Sequence, residues 1–141
     1  MEDKIEGGCL CGTVRYRITE RPLSIVNCHC RSCRLGAGVA GVAWVTVAKN
    51  VIAVSSGTPV QFQSSPHVTR TFCGKCGTSL TYEHDDDPGT IDVTTASLDH
   101  PDRFAPQREV WLEDRLAWEA LDDNIPHFSR GSGDAAGKAS G

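Results

Sequence analysis

All seven cysteines of the chain fall into three tight groups. Cys9 and Cys11 are set between Gly7-Gly8 and Gly12. Cys28, Cys30 and Cys33 crowd into "CHCRSC", with His29 between the first two. Cys73 and Cys76 sit in "CGKCG". Disulfides, a redox pair, a metal site and core packing all compete for such a pattern. Cysteines that only fill a core would scatter. An odd number cannot pair fully into disulfides. The N-terminal "MEDKIEGG" is acidic and has no apolar stretch of the signal-peptide kind, so the expected location is the cytosol, where thiols stay reduced. A C-x2-C redox pair, Cys30/Cys33 or Cys73/Cys76, would use two of the seven thiols. Metal binding accounts for the clustering. Zinc fits better than an iron–sulfur cluster, because the spacing breaks into separate pairs and a triplet.

The number of ligands decides what a zinc ion can do. Cys73 and Cys76 form a knuckle whose following Gly77 lets the backbone curl toward sulfur. One knuckle offers two thiolates, and a closed tetrahedral site needs four. Cys9 and Cys11, flanked by glycines, are the natural second pair. That leaves Cys28, Cys30 and Cys33 without a fourth cysteine. Four protein ligands make a closed structural site; three keep a position for water or substrate. Other groupings satisfy the same count, and His29 could complete the triplet locally.

The elements that must position these groups are mostly strands. "TVRYRIT" alternates, with Val14, Tyr16 and Ile18 on one side and Arg15 and Arg17 on the other. "AWVTV" (43–47) and "VIAV" (51–54) are β-branched runs either side of Lys49-Asn50, a tight-turn signal. "PVQFQ" (59–63) and "VTRTF" (68–72) alternate again. "SLTYE" (79–83) and "TIDVTT" (90–95) flank "HDDDPG", a turn and solvated loop. Helix signals are few: one turn in "RSCRLGAG", and "LEDRLAWEAL" over 112–121. The expected class is mainly β, one domain over residues 1–128, with small antiparallel sheets organised around zinc. The small, polar "RGSGDAAGKASG" completes an expected disordered tail over 129–141.

Composition narrows the partners. The 141 residues suffice for one domain with its own core. The net charge of -4, without a basic block, argues against nucleic acid. No apolar run approaches the roughly 20 residues that span a bilayer. Trp44, Trp111 and Trp118 read as core or pocket walls. His67, His84, His100 and His127 sit among turn residues and read as exposed.

Four motifs in order, "GGCLCGTVRY" (7–16), "CHCRSCRLGAG" (28–38), "FCGKCGTSL" (72–80) and "ASLDHPD" (96–102), resemble the glutathione-dependent formaldehyde-activating enzyme family, which includes centromere protein V. The resemblance runs from about Glu6 to Phe128. It implies a mainly β zinc-binding fold similar to that of the small zinc-binding Rab exchange factors. It implies two zinc ions per chain, a structural one on Cys9, Cys11, Cys73 and Cys76, and a catalytic one on Cys28, Cys30 and Cys33. The implied activity is that of a carbon–sulfur lyase that joins or separates glutathione and formaldehyde as S-hydroxymethylglutathione. Two positions depart from the family: His100 stands where relatives have Asp, and Arg108-Glu109 where they commonly place a histidine.

A thiol entering an open zinc position would be deprotonated there and could attack an aldehyde carbon. Three thiolates leave the zinc near a net charge of about -1, a weak Lewis acid, which favours thiolate delivery over carbonyl activation. Arg31 and Arg34 flank the triplet and could hold a substrate carboxylate; His29 could shuttle a proton. The competing readings are solvated surface arginines and a histidine whose side chain points away from the metal. Two functions compete with the lyase: a non-catalytic zinc module that binds a protein, and a thiol or metal sensor. A lone triplet is superfluous in the module, which favours an enzyme or a sensor.

Overall fold

The structure, a computed structural model, describes residues 4–131. Alternation in "TVRYRIT" becomes β2 (Arg15–Ile18), with Val14, Tyr16 and Ile18 buried. It pairs antiparallel with β1 (Ile5–Gly8) on one side and β5 (Ile52–Ser56) on the other. The second sheet has seven strands: β10 (Arg108–Val110), β3 (Ser24–Cys28), β4 (Val42–Ala48), β9 (Thr90–Thr94), β8 (Ser79–His84), β7 (Val68–Phe72) and β6 (Val60–Ser65), in that order. Every pairing is antiparallel except β10 with β3. The fold is mainly β, as the alternating runs predict.

The two faces of the large sheet serve different cores, because successive side chains on a strand point opposite ways. Ile25, Val45, Val47, Ile91 and Val93 join Tyr16 and Ile18 of the small sheet in the larger core. Cys28, Val42, Trp44 and Tyr82 form the second core, with Cys30, Cys33 and Val68. Full burial of a valine such as Val45 contributes roughly 1.5–3 kcal/mol. The first core therefore glues the sheets together, and the second is built around three sulfurs.

Three local expectations change. The runs at 43–47 and 51–54 enter different sheets, separated by a 3-10 turn over Lys49–Val51. The helix in "RSCRLGAG" is longer than one turn: α1 covers Arg31–Ala37. The helix expected over 112–121 is absent, apart from a 3-10 turn at Leu112–Asp114. Its backbone donors are spent elsewhere: Leu112 N–H donates to Phe128 O (3.2 Å) and Glu113 N–H to Ser129 O (3.1 Å). Residues 126–130 thereby run alongside 109–113. From residue 132 the expected tail lies outside the described residues. Among the described residues no helix is long and apolar enough to cross a membrane.

Candidate metal centres

The turn after β1 carries Cys9 and Cys11, and the turn after β7 carries Cys73 and Cys76. Leu10 N–H donates to Thr78 Oγ1 (3.0 Å), stitching the two turns together. Gly77 adopts φ 82°, the left-handed curl that a knuckle requires. Amides then point at sulfur: Val14 N–H at Cys9 Sγ (3.2 Å), Lys75 and Cys76 N–H at Cys73 Sγ (3.4 and 3.5 Å). The Thr78 hydroxyl, followed by the backbone of Thr78 and Cys11, draws the Cys76 thiol down to about 5. All four sulfurs lie within 4.8 Å of one another. Cys9 and Cys11 are 3.6 Å apart, and Cys11 and Cys73 are 3.8 Å apart. A tetrahedron with metal–sulfur bonds of about 2.3 Å has edges of about 3.8 Å, so this foursome fits a metal ion.

On the far face of the large sheet, Cys28 ends β3, Cys30 caps α1, and Cys33 lies in its first turn. Their sulfurs also lie within 4.8 Å of one another, and all three residues are buried. Among the described residues no His, Asp, Glu or further Cys joins this group. Cys33 N–H donates to Cys30 Sγ (3.3 Å). Hydrogen bonds from the Cys28 thiol, then the Cys33 thiol, pull Cys30 down to about 3, while contacts with Cys30, then Cys33, push Cys28 up. The group is a ready acceptor of positive charge. Its donors are all soft sulfur, which suits zinc.

One cation is already beside it. Arg70 of β7 places Nη1 and Nη2 each 3.8 Å from Cys33 Sγ. Its Nε donates to Ser64 Oγ (3.1 Å), and its guanidinium lies over the Tyr82 ring, 5.0 Å from the centroid. Tyr82 in turn packs on Trp44, with centroids 6.0 Å apart. Sequence reading passed over Arg70. The available signal was its parity: it shares a side of β7 with Val68 and Phe72, where an apolar residue is expected.

The residues flanking the triplet divide. His29 is fully buried, and its Nε2 lies 2.6 Å from Glu109 Oε1. Glu109 also accepts from Asn27 Nδ2 (3.0 Å) and from Asp122 N–H (3.1 Å). Burial pushes its carboxyl up, but the bonds from His29, Asp122 and Asn27 outweigh it and hold the pKa below the usual value. Gly41 makes room for the ring, since a Cβ there would stand 3.0 Å from His29 Cε1. The structure thus ties His29 to β10 and leaves it out of the sulfur group. Glu109, noted in the sequence only as a departure, is the anchor of this network. Arg31 is exposed, and its backbone N–H donates to Asp114 Oδ2 (3.2 Å). Arg34 is half-buried, with an Nε that has no hydrogen-bond partner among the described residues.

The histidines and tryptophans differ in part from the sequence expectation. His84 is buried on β8, where its Nδ1 accepts from Asp86 N–H (3.1 Å); its alternation with Leu80 and Tyr82 turns it inward. His67, His100 and His127 are exposed, as expected. Trp44 is buried and Trp111 packs against the second core, but Trp118 is 74% exposed because the helix that would have buried it does not form.

A small, mainly β fold with two cysteine groups able to hold metal defines the class of protein. A family model described as glutathione-dependent formaldehyde-activating enzyme matches residues 4–114, and the chain belongs to that family. An uncharacterized lyase of Schizosaccharomyces pombe is 30% identical over 80 residues, or 56% of this chain. The match spans 57% of that relative's length. A crystal structure of a Rhodobacter sphaeroides protein shares the fold, with a TM-score of 0.57 and 18% identity. The alignment covers 86% of this chain and 98% of that one.

Proposed function

We propose that the chain is a zinc-dependent carbon–sulfur lyase acting on a thiol–aldehyde adduct of the S-hydroxymethylglutathione type, in the cytosol. Cys9, Cys11, Cys73 and Cys76 would hold a structural zinc, and Cys28, Cys30 and Cys33 a second one. The observation that carries this reading is the unequal division of donors: four sulfurs gather in one group, and three in the other with no fourth protein ligand among the described residues. Family membership and a relative named as a lyase support it.

Cys28, Cys30 and Cys33 would hold the zinc, which would supply Lewis acidity able to lower the pKa of a substrate thiol. The protein's part is to hold three sulfurs in register. β3 fixes Cys28, the cap of α1 fixes Cys30, and the first turn of α1 fixes Cys33. The His29–Glu109 pair locks the backbone between Cys28 and Cys30 onto β10, where His29 N–H also donates to Val110 O (3.1 Å). The second core packs Val42, Trp44, Val68 and Tyr82 with the three cysteines. In the synthetic direction the substrate's sulfur forms a bond to the aldehyde carbon. The carbonyl π pair moves onto oxygen. The thiol's proton leaves to solvent and a proton from solvent reaches that oxygen. Thiol and aldehyde add with nothing lost.

The test follows formaldehyde and glutathione by NMR exchange, with and without zinc-loaded protein. Faster exchange with S-hydroxymethylglutathione is expected, lost in Cys33→Ser while one zinc stays bound. No acceleration with glutathione or other thiols, and no thiol-induced change at the triplet, would refute the lyase and favour a non-catalytic module.

A further inference from the structure

The guanidinium beside Cys33 has a consequence for which ligand the triplet accepts. Three thiolates and a divalent ion sum to about -1, and an anionic fourth ligand would make that about -2. Such a site, left to itself, prefers a neutral ligand. Arg70 changes that balance. Both its terminal nitrogens lie 3.8 Å from Cys33 Sγ. Its orientation is fixed twice over, by the bond from Nε to Ser64 Oγ and by stacking on Tyr82. Tyr82 is itself buried against Trp44. A planar fork held this way delivers a fixed positive charge, which a mobile surface cation would not.

We infer that Arg70 is the positioning and selectivity residue of the triplet: its charge offsets the three thiolates and thereby favours an anionic sulfur ligand, a thiolate, over a neutral one. The inference rests on the proposed second metal site and deepens it by naming the ligand class that site selects. Arg70 acts through the sulfur cluster, and its role is electrostatic. A purely structural Arg70 would matter to every fourth ligand alike. A charge-setting Arg70 matters to anionic ligands alone.

The experiment uses the full chain loaded with cobalt(II) in place of zinc, because sulfur-to-cobalt absorption reports the fourth ligand directly. It is titrated with 2-mercaptoethanol, which binds as thiolate, and with imidazole, which binds neutral. Arg70→Gln is expected to weaken thiol binding about tenfold or more, while imidazole affinity stays within about twofold. Arg70→Lys keeps the charge but loses the fork and should fall between. Arg70→Met, an unbranched side chain without the charge, should match Arg70→Gln and stands in for it if that variant does not fold. Equal weakening of both ligands, or no change in either, overturns the inference. A wild-type protein that takes up one cobalt ion, or two without any thiol response, overturns the proposed function and this inference with it. A wild-type protein that binds thiol, with an unaltered Arg70→Gln, overturns the inference alone.

Discussion

Glu109→Ala is the substitution whose cost can be worked most directly from the structure. The carboxylate is 3% exposed and accepts three hydrogen bonds, from His29 Nε2, Asn27 Nδ2 and Asp122 N–H. Truncation leaves a fully buried imidazole and a half-buried amide without their acceptor. Each bond to a charged group is worth about 1.5–3 kcal/mol, but stranded donors regain part of that by relaxation. Leaving a buried donor unsatisfied costs about 1–3 kcal/mol, and with the half-buried amide added we expect a loss of about 2–4 kcal/mol. For a domain of about 130 residues this lowers the melting midpoint by roughly 7–15 °C. The assay is thermal and urea unfolding of the zinc-loaded protein. Glu109 ties together β3, β10 and the turn at Asp122, so the triplet should also release its metal to a chelator more readily, while the foursome holds. A loss below about 0.5 kcal/mol would show that this network is solvated and refute the reasoning.

Other expectations follow from single features. Cys76→Ser removes one of four sulfurs from the group joining the turns after β1 and β7, and structural zinc contributes about 10–16 kcal/mol in small peptides; the variant should lose most of its cooperative unfolding transition by circular dichroism. Asp99 is held below the usual carboxylate range chiefly by its hydrogen bond from Arg15. That stability is present above the unfolded pKa of about 3.9 and lost as pH falls through the lower folded value. Both partners are more than a third exposed, so urea unfolding of Asp99→Asn should show a deficit under about 1 kcal/mol at pH 7 that shrinks as the pH falls below the unfolded value. Trp118→Ala should change unfolding free energy by less than about 0.5 kcal/mol, since the ring is exposed.

Residues whose neighbours in sequence are their neighbours in space were legible. The alternation of Val14, Tyr16 and Ile18, and the runs that became β6 to β9, named their strands because a strand's pattern is local. The sulfur groups were legible for a related reason: C-x-C and C-x2-C already bring two sulfurs close, and the grouping of Cys9 and Cys11 with Cys73 and Cys76 emerged as expected. What depends on distant backbone was hidden. β10 is three residues long and exists because β3 offers it an edge. The 112–121 segment carries helical periodicity, yet its first amides are taken by the 126–130 segment. Glu109 and Arg70 look like ordinary charged strand residues until the fold sets one against His29 and the other against Cys33.

The central claim is the unequal sharing of sulfur between two metal ions, and X-ray absorption at the zinc edge with metal analysis tests it most directly. Two zinc ions per chain with an average of about 3.5 sulfurs each is the predicted result, falling to one zinc with about four sulfurs in Cys33→Ser. A single zinc in the wild-type chain, or two ions each carrying four protein ligands, would contradict it.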